Sequence, residues 1–282
     1  MKRPSYCYWS LFVLWLVTTW VLPSGAMQGT LSEEERKQLL EDKIAEDAFE
    51  EELQKVLEEW ARNGQKGSPE ALFPATYSAK AIEAWVVDED TGQPLEQTIV
   101  VAHWQLDPIW GHGSPVGQLT VLETVTDAKG RFYFPAWGPK PREPKSGLLT
   151  NDDPELFVFK KGYRGKKMSN RAMSIMLHKS LRSSDWDGKT IKLKRFADDN
   201  EEYAGFLRAF ADELEELFFR KEDCTWKQIP RTLVALHLES KRLEAKHIRN
   251  GPDTIEEQDK SRSQTKDSKC GSMQTFLRSY LP

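Results

Sequence analysis

Two turns constrain what this chain can fold into: Asp88-Glu89-Asp90-Thr91-Gly92-Gln93-Pro94-Leu95 and Thr126-Asp127-Ala128-Lys129-Gly130-Arg131-Phe132. Each joins alternating runs rich in β-branched and aromatic residues, as the hairpins of a small antiparallel structure require. Asp127 is placed to accept backbone N–H groups within its turn, and Gly130 supplies a positive φ. Phe132 and Phe134 then fall on one face and fill a core. Strands are expected over 78–87, 98–105, 118–126, 131–137, 155–161, 167–176 and 189–196. Seven strands at this spacing predict an antiparallel sandwich in preference to an α/β fold. The segment 139–154, rich in proline, lysine and glycine, is expected as a long surface loop.

Several strands are apolar on both faces, Ile99-Val100-Val101-Ala102 and Leu156-Phe157-Val158-Phe159 among them. A two-layer sandwich with a wet outer face would alternate. Helices are therefore expected to cover one sheet from outside. The first candidate runs from Ser32 to Ala61, opened by a Ser32/Glu35 capping box. Its stripe is Leu40, Ile44, Ala48, Phe49, Leu53, Val56, Leu57 and Trp60. A second stripe holds Phe206, Phe210, Leu214, Leu217 and Phe218. Pro230 then suits the first turn of a helix bearing Leu233, Val234, Leu236, Leu243 and Ala245, stopped by Asn250-Gly251-Pro252. Residues 255–269 are polar and mixed in charge, so a mobile tail is expected there.

The start of the chain reads as a cleaved signal peptide over 1–26. Lys2 and Arg3 precede an apolar run from Leu11 to Leu22, and Ser24-Gly25-Ala26 supplies the small residues of a cleavage site. An uncleaved anchor is the alternative, but Tyr6 to Leu22 is short against a span of about 20 residues. Export to the periplasm or cell surface, or secretion, follows, with no integral membrane segment after cleavage. In an oxidising compartment Cys224 and Cys270 are expected to form a disulfide, the alternative being two separate thiols. Closing a loop of about 45 residues is worth about 4 kcal/mol in chain-entropy terms. A net charge of −4 argues against nucleic acid, which needs a basic stripe to displace phosphate counterions.

The stretch Lys80-Ala81-Ile82-Glu83-Ala84-Trp85-Val86-Val87-Asp88, with Gly92-Gln93-Pro94-Leu95 and Thr98-Ile99-Val100-Val101, resembles the opening hairpin of the carboxypeptidase regulatory-like domain. Glu123 to Pro135 resembles that family's second signature. The resemblance covers roughly residues 78–196 and implies a prealbumin-like β-sandwich, the fold also used by transthyretin. It carries no activity, since one fold hosts many functions. In metallocarboxypeptidases this module accompanies a catalytic domain, for which the remaining residues leave no room. As a whole the chain resembles exported bacterial proteins built around such a domain.

Three constellations invite a functional reading. His103, Asp107 and His112, in the run from His103 to Gly113, could converge on zinc or copper, though nothing in their spacing is diagnostic. Trp104, Trp110 and Trp137 could form an aromatic patch for a sugar ring or a protein partner, or else fill the core. Lys80, Asn170 and Glu123 supply the residue types of an intramolecular isopeptide bond. The pairs Lys160-Lys161 and Lys166-Lys167 flank Gly162-Tyr163-Arg164 and could hold an anion, or be a solvated loop. His237 and His247 are ten apart, make no metal motif, and read as surface or capping groups.

The expected organisation is a signal peptide (1–26), an amphipathic helix (27–64), a seven-strand sandwich (77–197), a helical region (198–250) and a tethered mobile tail (251–282). Asp88, Gly92, Asp127 and Gly130 are its structural turn residues. The expected function is non-catalytic binding or scaffolding in the bacterial envelope, with a protein partner and no cofactor. Segments 105–118 and 139–154 are expected to form its contact surface. The competing classes are a metal-dependent enzyme using His103, Asp107 and His112, and a carbohydrate-binding module.

Overall fold

The computed structural model describes residues 73–109, 114–144, 146–150, 153–170, 179–196, 200–215, 217, 224–263 and 269–281. It also describes positions 37, 40, 51, 54, 55, 58, 59, 61 and 62. The chain divides into two compact units, 1–40 and 41–282. In the first, Lys37 and Leu40 are helical and exposed. In the second, the described positions from 51 to 62 are helical, with an i,i+4 ion pair between Glu51 and Lys55 at 2.7 Å. The signal segment, and the apolar stripe of that helix beyond Leu40, lie outside the described residues.

Beyond those helical positions, the second unit shows eleven short strands and four α-helices with described bounds. The strands are β1 (Thr76–Ala79), β2 (Ile82–Asp88), β3 (Ile99–Pro108), β4 (Gly117–Val125), β5 (Arg131–Phe134) and β6 (Trp137–Pro141). They continue with β7 (Gly147–Leu149), β8 (Glu155–Phe159), β9 (Lys166–Met168), β10 (Leu181–Arg182) and β11 (Thr190–Leu193). The helices are α1 (Asn200–Glu215), α2 (Pro230–Glu244), α3 (Ile255–Ser263) and α4 (Met273–Leu277).

The strands make three sheets, in the orders β10-β1-β6, β11-β2-β5 and β4-β3-β8-β9, with β7 added to β3. Two pairings, β1 with β10 and β2 with β11, are parallel. The expectation of seven antiparallel strands is corrected on both points. The expected first strand breaks at Lys80-Ala81 and serves two sheets. The expected loop 139–154 contains the end of β6 and all of β7. Pro139 and Pro141 fit there because β6 is an edge strand, where a missing N–H costs no ladder bond.

Both turns behave as their residues dictate. Asp88 Oδ1 accepts from the backbone N–H of Asp90 and Thr91, at 3.0 and 2.9 Å. Asp127 Oδ1 accepts from Lys129 and Arg131, at 2.9 and 3.0 Å. Gly92 and Gly130 have φ of 69° and 71°. A Cβ on Gly130 would also lie 2.4 Å from the carbonyl oxygen of Val86, whereas one on Gly92 would meet nothing.

The two-faced apolar strands have two cores to serve. Val100, Ala102, Trp104 and Leu106 of β3 join Leu156 and Val158 in a cluster with residues of β1, β2, β5 and β11. The alternate residues Val101, Phe157 and Phe159 join Val121 beneath Leu207, Phe210 and Leu214 of α1 and Leu233, Val234 and Leu236 of α2. The five-stranded sheet is thus covered on its second face by the C-terminal helices.

The C-terminal tail corrects another expectation. Residues 255–263 are helical, and Ile255, Met273 and Leu277 are buried in the helical core. Composition understated the local signal: Thr254 and Glu257 form a capping box, with Thr254 N–H on Glu257 Oε2 at 2.8 Å and Glu257 N–H on Thr254 Oγ1 at 3.3 Å. Asp259 then accepts from Ser272 Oγ and the Met273 N–H, both at 2.7 Å.

The two turn glycines should separate in a mutational test. Gly92→Ala is expected to cost about 1–2 kcal/mol, the price of left-handed backbone alone. Gly130→Ala adds a backbone clash and should cost distinctly more, as measured by chemical denaturation of both variants.

Candidate functional site

The strongest polar constellation grows out of β3. Residues Ile99, Val101, His103, Gln105 and Asp107 share one face by strand alternation. The first two are apolar and lie against the helical layer; the last three are polar. An irregularity in the β3–β4 register between Trp104 and Gln105 sets Gln118 opposite Gln105.

His103 is 2% exposed and stacks on Phe157 at 5.7 Å. Its Nε2 lies 3.0 Å from Glu155 Oε2 and its Nδ1 3.1 Å from Gln118 Oε1. Gln118 Nε2 donates to Gln105 Oε1 at 3.1 Å, and Gln105 Nε2 donates to Asp107 Oδ1 at 3.2 Å. Asp153 Oδ1 receives the Gln105 N–H at 3.0 Å. Burial works against the charge on Glu155, but the hydrogen bond and charge of His103, with Lys167 at 3.4 Å, outweigh it and hold the carboxyl below its usual range.

This ladder stiffens the sheet and leaves His103 with little to offer a ligand. Both ring nitrogens are engaged, so neither presents a lone pair outward. His103 and Asp107, two of the three residues of the alternative metal reading, share a face but are joined through two glutamine side chains. His112 lies outside the described residues. Among the described residues no group of three His, Cys, Asp or Glu is arranged to hold a metal ion.

Of the two readings of the tryptophans, core filling is the one that Trp104 follows. Trp104 is 1% exposed because alternation turns it into the core shared by the sheets, and it meets Trp137 edge-on at 5.1 Å. Trp137 is partly buried, with Lys140 Nζ over its ring at 5.3 Å. Trp110 lies outside the described residues. The isopeptide trio does not act as a unit. Glu123 accepts from the N–H groups of Arg231 and Thr232, at 3.0 and 2.8 Å, and so caps α2. Asn170 binds the carbonyls of Asp153 and Ser183 and the Asp185 N–H, while Lys80 is exposed.

The lysine-rich turn ties the sheet to the helices. Lys160 donates to the carbonyl of Glu96, and Lys161 pairs with Glu239 of α2 at 2.9 Å. The Gly162 N–H reaches Tyr203 of α1 at 2.9 Å, and Arg164 pairs with Glu202 of α1. Tyr163 donates to Asp88 Oδ2 at 2.9 Å and is approached by Arg195 at 2.8 Å. Sequence reasoning missed this role because its partners lie far away along the chain. The cysteines are paired as expected: Cys224 and Cys270 form a disulfide, Cα–Cα 5.3 Å. Among the described residues no helix is long and apolar enough to cross a membrane.

No family model matches this chain, and no curated protein matches it. Among solved structures it is similar to 3-chlorocatechol 1,2-dioxygenase from Rhodococcus opacus 1CP at 16% identity, over 44% of this chain and 61% of that one, with a TM-score of 0.27. The wild-type catechol 1,2-dioxygenase of Acinetobacter radioresistens gives 14%, 44%, 53% and 0.27. A 9R-lipoxygenase from Cyanothece PCC8801 gives 14%, 77%, 36% and 0.20. This chain spans less than two thirds of each of these proteins, and TM-scores this low carry neither a fold nor an activity across.

Asp88 supplies the pH test of this region. The Thr91 backbone N–H first, then the Tyr163 hydroxyl, hold its carboxyl down to about 2. A depressed carboxylate contributes stability that is present above its ordinary value of 3.8 and is lost as pH falls towards 2. Tyr163→Phe should raise the Asp88 pKa in an NMR titration of side-chain carboxyls and shift acid unfolding to higher pH.

Proposed function

We propose that this chain is an exported, non-catalytic binding or scaffolding protein of the bacterial cell envelope, built on a carboxypeptidase regulatory-like, prealbumin-like sandwich. The observation that carries the reading is the Cys224–Cys270 disulfide. Such bridges persist in oxidising compartments, which agrees with the signal-like start of the chain. The two signature turns, each held by its aspartate and glycine, support the sandwich. The internal commitment of His103 and Asp107 favours binding over metal-dependent catalysis, and the burial of Trp104 weakens a carbohydrate platform.

Recognition falls to the rim formed by segments 105–118 and 139–154. The described part of the second is anchored at several points. The Arg142 N–H bonds the carbonyl of Ala75, the Ile109 N–H bonds that of Ser146, and β7 pairs with β3. Connecting segments presented on a rigid frame are common recognition surfaces.

Crosslinking of the tagged full chain in intact cells tests this reading. Capture of an envelope protein that disappears when both segments are replaced is expected; capture unchanged by the replacement would refute the surface assignment. Fractionation should recover the chain outside the cytoplasm with the bridge formed, and Cys224→Ser should cost about 2–5 kcal/mol of stability on denaturation. A cytoplasmic chain with two thiols would sink the export reading.

A further inference from the structure

His237 lies on α2 with its side chain 8% exposed, and it touches α3 through an unusual bond. The backbone N–H of Ile255, the first residue of α3, donates to His237 Nδ1 at 3.2 Å. A backbone N–H can only donate, so Nδ1 must present its lone pair and the ring proton must sit on Nε2. The neighbouring donors at this helix start are served separately, since Thr254 and Glu257 satisfy each other in the capping box. His237 is thus a capping group supplied by another helix to one of the N–H groups that a helix start leaves unsatisfied.

The same nitrogen has a second partner in waiting. Glu256 Oε2 lies 3.6 Å from Nδ1, beyond a normal hydrogen bond yet close enough to take a proton-bearing nitrogen after a small shift. Among the described residues, the ionisable groups acting on the ring are Glu256 of α3 and Lys241 and Glu244 of its own helix. We propose that His237 is an acid-released latch, whose neutral ring holds the first turn of α3 on α2 and whose protonated ring abandons Ile255 for Glu256. Protonation sets an N–H against an N–H, and places a cation at the positive end of a helix dipole.

Burial pushes the ring below its ordinary value of 6.5, with Glu256 pulling the other way. For a base held down in the folded state, the contribution is complete above 6.5 and is lost as pH falls below it, through the folded value. The latch therefore opens in mild acid and is closed at neutrality. Ile255, Met273 and Leu277 remain buried by their own apolar contacts, and the disulfide limits how far the segment can travel. The latch works on the start of α3 without unfolding the domain.

Amide hydrogen exchange of peptides covering 254–263, corrected for intrinsic chemical rates, tests the latch in the full chain. Protection should fall by up to about tenfold for each pH unit as pH drops from 6.5 towards the folded value of the histidine, and level off below it. In His237→Asn, Oδ1 stands near the position of Nδ1 and cannot be protonated in this range, so protection should stay level with pH. A fall of equal size in both proteins, or none in the wild type, would overturn the proposal. Should the variant fold poorly, nitrogen NMR of the wild-type ring decides. A bare Nδ1 and protonated Nε2 at neutral pH are expected, and a proton on Nδ1 there would overturn the latch.

Discussion

The hydrogen bond from Tyr163 to Asp88 joins what would otherwise be separate pieces. Asp88 organises the first signature turn through one carboxylate oxygen and receives the tyrosine on the other. The residues on either side of Tyr163 reach outward to the helices: Lys161 to Glu239, Gly162 to Tyr203, Arg164 to Glu202. One five-residue turn therefore sets the register between a sheet turn and two helices. The Arg164–Glu202 pair is exposed and contributes little, such pairs being worth about 0–1 kcal/mol, whereas the Glu239 carboxylate under Lys161 is buried. The Asp88–Tyr163 contact is different because both groups are buried, where an unsatisfied partner would cost about 1–3 kcal/mol.

The second organising constraint is the two-faced sheet. Alternate residues of β3 and β8 feed two apolar clusters, so the helices complete the sheet and are not ornaments on a finished domain. Where the helical cover gives out, the same face turns polar and its side chains bond one another. His103 is the centre of that change, spanning β4 and β8 with its two nitrogens. Buried polar networks of this type specify strand register when every member is satisfied.

Much of this was legible in the chain. Turn residues, alternation and the need for helical cover follow from local spacing, and the aspartates and glycines do what their chemistry suggests. Pro230 opens α2 as its fixed φ suggests. The errors have physical causes. Prolines disguised an edge strand at β6, and polar composition hid the Thr254–Glu257 capping box. The commitments of His103 could not be read at all, because Glu155 is 52 residues away and reaches it only through the β3–β8 register. For Trp104 the sequence left a surface patch and a core position open, and strand alternation assigns it to the core.

The helical cover also fixes an order of events. All strands of the five-stranded sheet lie at or before Met168, whereas among the described residues those that shield its second face run from Phe196 through α1 to Leu277 of α4. A chain emerging from its N-terminus therefore shows Val101, Phe157 and Phe159 to its surroundings until α1, whose Phe210 meets both phenylalanines, has followed the sheet. Such a nascent intermediate is sticky by construction, as partly folded chains with uncovered apolar surface generally are. Interrupting the chain before α1 would consequently leave a finished sheet without its lid.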